Sequence, residues 1–74
     1  MATRRALRSV HVSLVVKGEL DYEAAMDQQF PGTRRTCWEQ LVSTASEGYE
    51  LVSAVPITFD GTTVAIAYYF MGNA

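Results

Sequence analysis

The chain is poor in the residues that usually carry chemistry. It has one cysteine, Cys37, and one histidine, His11. A lone cysteine excludes an internal disulfide, and one Cys with one His falls short of a structural zinc site. Lysine is nearly absent too, since five of the six basic residues are arginine. There is no glycine-rich phosphate loop, no CxxC pair and no nucleophile elbow. No apolar run approaches the roughly 20 residues of a membrane span. Residues 1–8 carry arginines but lead into no signal-type apolar core. A cytoplasmic location without membrane contact is the default expectation.

What is present is a folding composition. Of 74 residues, 49% are hydrophobic and 19% charged, which is not a disordered chain. The length allows one domain, residues 1–74. A domain this small buries only about 60% of its unfolded surface. Such domains often take extra stability from a staple, a metal or a partner subunit. With no disulfide or metal pattern in view, a homo-oligomer, a dimer or larger, is expected. The net charge of −2 speaks against a general nucleic-acid binder.

The pattern predicts an α+β domain. It has a three-stranded antiparallel sheet of β-α-β-β topology and strand order 2-3-1, with one main helix on one face. The alternative sets strand one beside strand two, parallel to it. The first is preferred because the helix then crosses one strand as in a split β-α-β unit. Residues 1–7 read as a tail. A first strand runs from about Arg8 to Lys17, with Val10, Val12, Leu14 and Val16 on one side and Ser9, His11 and Ser13 on the other. Residues 18–35 form a long connection in which Tyr22 to Phe30 has room for one or two helical turns. Pro31-Gly32 forces a turn there. Thr36 and Glu39 have the spacing of a capping box. Trp38, Leu41, Val42 and Ala45 follow as an apolar helical stripe. Gly48 stands where a left-handed C′ residue is wanted, so the helix spans about Cys37 to Glu47.

Asp60-Gly61 between two apolar runs predicts a two-residue hairpin joining Tyr49–Phe59 to Thr62–Met71. A regular ladder from that turn pairs Ile57 with Val64, Val55 with Ile66, Ser53 with Tyr68 and Leu51 with Phe70, and this face should receive the helix. The opposite face then carries Val52, Ala54, Pro56, Ala65, Ala67, Tyr69 and Met71, joined by Ser9, His11, Ser13 and Val15. A solvated sheet face usually shows Lys, Glu and Thr. This one is small and mildly apolar, and it reads as an oligomer interface of Ser9, His11, Ser13, Val52, Ala54, Ala65, Ala67 and Tyr69.

Candidate chemical sites are few. His11 has the pKa range of a general base, but no motif sets an Asp, Glu, Ser or Cys beside it. Cys37 opens the helix, where the macrodipole and Arg34-Arg35 favour a thiolate, yet it lacks a nearby base. Glu47 and Glu50 bracket a turn. Asp21, Glu23 and Asp27 lack the spacing of a calcium loop. Arg34, Arg35, His11 and Tyr69 are the candidate ligand-binding residues, for a small anionic ligand held by guanidinium and ring stacking. Arginine clusters at tails and loops are more commonly solubilising charge.

The stretch Trp38-x-x-Leu41, then Glu47-Gly48-Tyr49-Glu50-Leu51-Val52-Ser53-Ala54-Val55-Pro56, then Tyr68-Tyr69-Phe70, resembles a family of short bacterial and phage proteins known as a domain of unknown function. The resemblance covers residues 36 to 71. It implies the same strand, helix and hairpin order and no catalytic residues. Tyr49 stands where that family commonly has Trp, and residues 18–35 are longer than its usual connection.

Three functions follow as expectations. The first is a non-enzymatic interaction module, without cofactor or metal, that self-associates through its open sheet face and binds a protein or small ligand. The second is a phage-type protein that sequesters a nucleotide-like anion at a subunit boundary. The third is a small enzyme with an inter-subunit site around His11.

Overall fold

A computed structural model describes residues 5–73. The predicted positions 1–4, including Arg4, lie outside the described residues. The strands are β1 (Arg5–Ser13), β2 (Val15–Val16), β3 (Glu19–Leu20), β4 (Glu50–Phe59) and β5 (Thr62–Asn73). The helices are α1 (Tyr22–Asp27) and α2 (Cys37–Ser46). The main sheet is three-stranded in the order β1-β5-β4, antiparallel throughout. This is the predicted α+β class and strand order. Arg5, Ala6 and Leu7, read as tail, instead begin β1 opposite Asn73, Gly72 and Met71.

The long connection is structured. Lys17 (φ 52°) and Gly18 (φ 82°) both take positive φ, the signature of a type I′ turn, and close a two-stranded hairpin of β2 and β3. Asp21 then caps α1, accepting from the Ala24 amide at 3.1 Å. α1 buries Ala25 and Met26, and half-buried Phe30 packs against the same core. Residues 29–36 form a tight loop in which the Phe30 amide donates to the Arg35 carbonyl at 2.8 Å. The Cys37 amide donates to the Gln28 carbonyl at 2.8 Å, so the loop ends tied to α1.

α2 begins with the predicted capping box: Glu39 N donates to Thr36 Oγ1 and Thr36 N to Glu39 Oε1, both at 3.1 Å. These bonds hold the Glu39 carboxyl below its ordinary pKa. The face that α2 buries is not the predicted stripe. Cys37 and Thr44 are buried, and Leu41 packs against the core. Trp38, Val42 and Ala45 are exposed. The reason is where the helix sits. It packs with α1 and β1, whose Val10 and Val12 join Ala25, Met26, Cys37 and Phe70 in the core. Thr44 fits there because its hydroxyl donates to the Gln40 carbonyl at 2.8 Å.

The hairpin turn is as predicted, with Asp60 at φ 51° and Gly61 at φ 77°. The ladder beyond it is not. Register shifts fall between Ile57 and Thr58 and between Leu51 and Ser53. Val64 and Val52 are the residues left without opposites. Between the bulges Ile57 faces Ala65, Pro56 faces Ile66, Val55 faces Ala67, Ala54 faces Tyr68 and Ser53 faces Tyr69. One extra residue reverses which side chains share a face. Ala54 and Pro56 therefore lie on the helix side with Tyr68 and Ile66. Ser53, Val55 and Ile57 lie on the open face. Both placements correct the sequence-based ladder, which a regular period-two pattern could not refine.

The corner between α2 and β4 is held by a stack. Arg8 pairs with Glu47 at 2.6 Å and lies 4.5 Å from the Tyr49 ring centroid. Beneath the ring is Gly72, where an added Cβ would come within 2.7 Å of Tyr49 Cδ1. The exposed ion pair alone contributes little, whereas the guanidinium over the ring fixes the Tyr49 position. Gly72→Ala should therefore lower stability by about 1–3 kcal/mol through overpacking, read as a shifted urea midpoint with unchanged slope. A midpoint within error of the wild type would show that the ring yields freely.

Candidate interaction surface

β4 has the sequence of a half-buried strand but is exposed along its whole length. Leu51 (51%), Val52 (53%), Val55 (43%), Ile57 (40%) and Phe59 (74%) retain large fractions of their surface. On the helix side the cause is the position of α2, which is held toward β1 and leaves Leu51 bare. Val55 and Ile57 lie on the open face, which no described element covers. Isolated exposed apolar residues are ordinary, and this set of large ones along one strand makes β4 the candidate contact surface.

On the helix side the bare strip forms a cleft of about 270 Å³. Trp38, Leu41 and Val42 of α2 make one wall. Leu51, Tyr68 and Phe70 make the floor, and Tyr22 of α1 closes one end. Trp38 and Val42 of the α2 stripe thus face open space, while Leu41 packs against the core. Burial, together with the hydrogen bond to Tyr22, raises the Tyr68 phenol to about 12.

On the open face the pairing aligns Ser9 with Tyr69, His11 with Ala67 and Ser13 with Ala65. Ser53, Val55 and Ile57 of β4 continue the same rows. Of the interface residues expected from sequence, Ser9, His11, Ser13, Ala65, Ala67 and Tyr69 share this face. Ala54 does not, because the Val64 bulge turns it to the helix side, and Val52 sits in the second bulge. Ala67 is only 2% exposed, walled in by its neighbours on the central strand. The apolar relief of the face comes from Val55 and Ile57. The His11 and Tyr69 rings meet edge to face, centroids 6.3 Å apart.

The expected ligand-binding residues are not brought together. Arg34 and Arg35 are exposed in the loop before α2, and Arg35 Nη1 reaches Gln40 Oε1 at 3.5 Å. His11 and Tyr69 lie on the open face of the sheet, while the loop belongs to the helix layer. Arg8 is engaged with Glu47 and Tyr49. Cys37 is buried, which pushes its thiol above the ordinary value, so the helix terminus does not make it a thiolate. Among the described residues no three His, Cys, Asp or Glu are grouped to hold a metal, and no helix is long and apolar enough to cross a membrane.

Sequence reasoning missed the cleft. Its residues were identified, but Trp38, Val42 and Leu51 were assigned to the core. No signal in the sequence marks it: Thr44, expected with Gln40, Ser43 and Glu47 on the water-facing side of the helix, is buried instead.

No protein-family model, curated protein or solved structure matches this chain.

The raised Tyr68 pKa sets a pH dependence. The unfolded phenol ionises near 10, while the folded one holds its proton to about 12. The unfolded chain therefore loses its proton first, and stability falls as pH rises through that window. Below pH ~10 this group leaves stability unchanged. Tyr68→Phe should flatten the alkaline limb of the stability–pH curve, measured by urea denaturation from pH 9 to 12. An identical limb in the variant would assign the dependence to other groups.

Proposed function

We propose that this protein is a non-enzymatic interaction module that self-associates through its open sheet face. The observation that carries this is the surface left over. A folded monomer of 8.2 kDa exposes about 4,500 Å² by mass scaling, whereas this chain exposes 5374 Å². The excess of roughly 800 Å² equals one partner's share of a standard interface. The radius of gyration points the same way, at 13.7 Å against about 11 Å for a compact domain of this length.

Among the described residues the excess is visible on β4. Its open-face side chains, Val55 and Ile57, stand beside Ala65, Ala67 and Tyr69. Small side chains in the middle and larger ones at the edge suit a second sheet packed about 10 Å away. Edge-to-edge pairing is the weaker geometry. Pro56 offers no N–H, and a proline in a sheet belongs on an edge with its nitrogen turned outward. The bulge at Val52 twists the same strand, and the bulge at Val64 bends its partner β5.

The solution mass of the wild type and of Val55→Glu and Ile57→Glu variants tests this reading by light scattering. Both side chains are partly exposed, so the variants should fold. The wild type should be a dimer or larger, and each variant should have a lower mass. A monomeric wild type, or variants that assemble as the wild type does, would overturn it. Ala67→Arg is a poorer probe, because a side chain only 2% exposed has no room to grow within one chain.

A further inference from the structure

The end of the hairpin is an arm outside the main sheet. β1 pairs with β5 as far as Ser13 opposite Ala65, and the Leu14 amide adds a bond to the Val64 carbonyl at 2.8 Å. Beyond that point β4 and β5 have only each other. The arm tip reads Thr58, Phe59, Asp60, Gly61, Thr62, Thr63, polar or glycine except for Phe59. Phe59 is 74% exposed, and its cross-strand partner is Thr62, too small to cover a ring. A two-stranded ribbon is marginal by itself and gains nothing within this chain from a phenylalanine at its tip.

The cleft is the reverse case, a hollow with apolar walls and no side chain in it. Its volume of about 270 Å³ is ample for one ring, since an apolar cavity of about 150 Å³ takes benzene. The chain's own Phe59 does not reach it. β4 carries Leu51, on the cleft floor, away from Phe59 by roughly 26 Å at the rise of an extended strand. A ring seated there would have to come from another molecule.

We infer that Phe59 of a second copy seats in the cleft between Trp38, Leu41 and Leu51. This rests on the reading that the chain self-associates, and it adds a contact on the face opposite the one proposed above. Two copies related by a twofold axis satisfy both clefts at once, each giving a ring and taking one, so the contact closes.

Trp38 is the only tryptophan and lines the cleft, so its emission reports occupancy. The test compares wild type, Phe59→Ser, Phe59→Leu and Val42→Glu over a dilution series, following Trp38 emission and solution mass, with circular dichroism to establish folding. Wild-type emission should shift to the blue as concentration rises. Phe59→Ser should lose the shift and associate through this contact at least about tenfold more weakly, while Phe59→Leu keeps most of it. An equimolar mixture of Phe59→Ser and Val42→Glu should regain part of the shift, because one copy supplies an intact cleft and the other an intact ring. If Phe59→Ser keeps the wild-type emission and mass, or the mixture regains nothing, the inference is overturned. If Phe59→Ser matches the wild type while Val55→Glu and Ile57→Glu lose mass, the arm contact fails and the sheet-face reading stands. A wild type that stays monomeric, with emission independent of concentration, overturns both.

Discussion

The position of the helix layer governs the rest of the molecule. α2 enters bonded to the end of α1 through the Cys37 amide and Gln28 carbonyl. α1 is itself pinned by Ala25 and Met26 against the β1 side of the sheet. α2 leaves through a corner held by Arg8, a β1 residue, stacked on Tyr49. Both ends of α2 are thus fastened toward β1. A single helix has one buried stripe about 100° wide, and with its axis fixed there it reaches β1 and β5 but leaves β4 bare. The bare helix side of β4, the apolar cleft and the outward Trp38 follow from that placement.

The bulges then decide which β4 side chains are offered on each side. A bulge reverses the face of everything between it and the next one. Here the reversal turns Ala54 and Pro56, small or cyclic, toward the helix side. It turns Val55 and Ile57, β-branched and larger, to the open face. Without the shifts, Val55 and Ile57 would stand on the helix side, and Ala54 and Pro56 would take their places on the open face. The observed arrangement gives relief to both surfaces. It also twists the free edge and sets Pro56 in it, so the strand's apolar character is presented through its faces rather than through a pairing edge.

Much of this fold was readable from local chemistry. The Asp60-Gly61 turn, the Thr36–Glu39 capping box, the strand order and the three-stranded sheet each rest on a residue pair or a period. What was not readable depended on a choice made across the chain. Val64 and Val52 look like ordinary strand residues, and nothing local marks them as bulges. The stripe of Trp38, Leu41, Val42 and Ala45 is a correct apolar face, but periodicity does not say whether an apolar face meets its own sheet or another molecule. Lys17-Gly18 was a missed turn, because lysine rarely takes positive φ. The β1 and β5 residues of the open sheet face were foreseen, but not those of β4, where the bulges put Ser53, Val55 and Ile57 in place of Ala54 and Pro56. The cleft was hidden because its residues are the ones any core would use.

A core this partial bears on stability itself. Val10, Val12, Ala25, Met26, Cys37 and Phe70 make one small cluster, and the large side chains of β4 lie outside it. Burying a Leu, Ile or Phe side chain is worth about 1.5–3 kcal/mol, and a small domain has a net stability of only about 5–15 kcal/mol. The side chains that β4 leaves in water are therefore of the same order as the whole margin of folding. If copies of the chain cover them, folding and assembly share one free energy, and apparent stability rises with protein concentration by mass action. The long hairpin would cost little under that coupling, because the arm that a lone chain supports poorly would be ordered by the contact proposed for it.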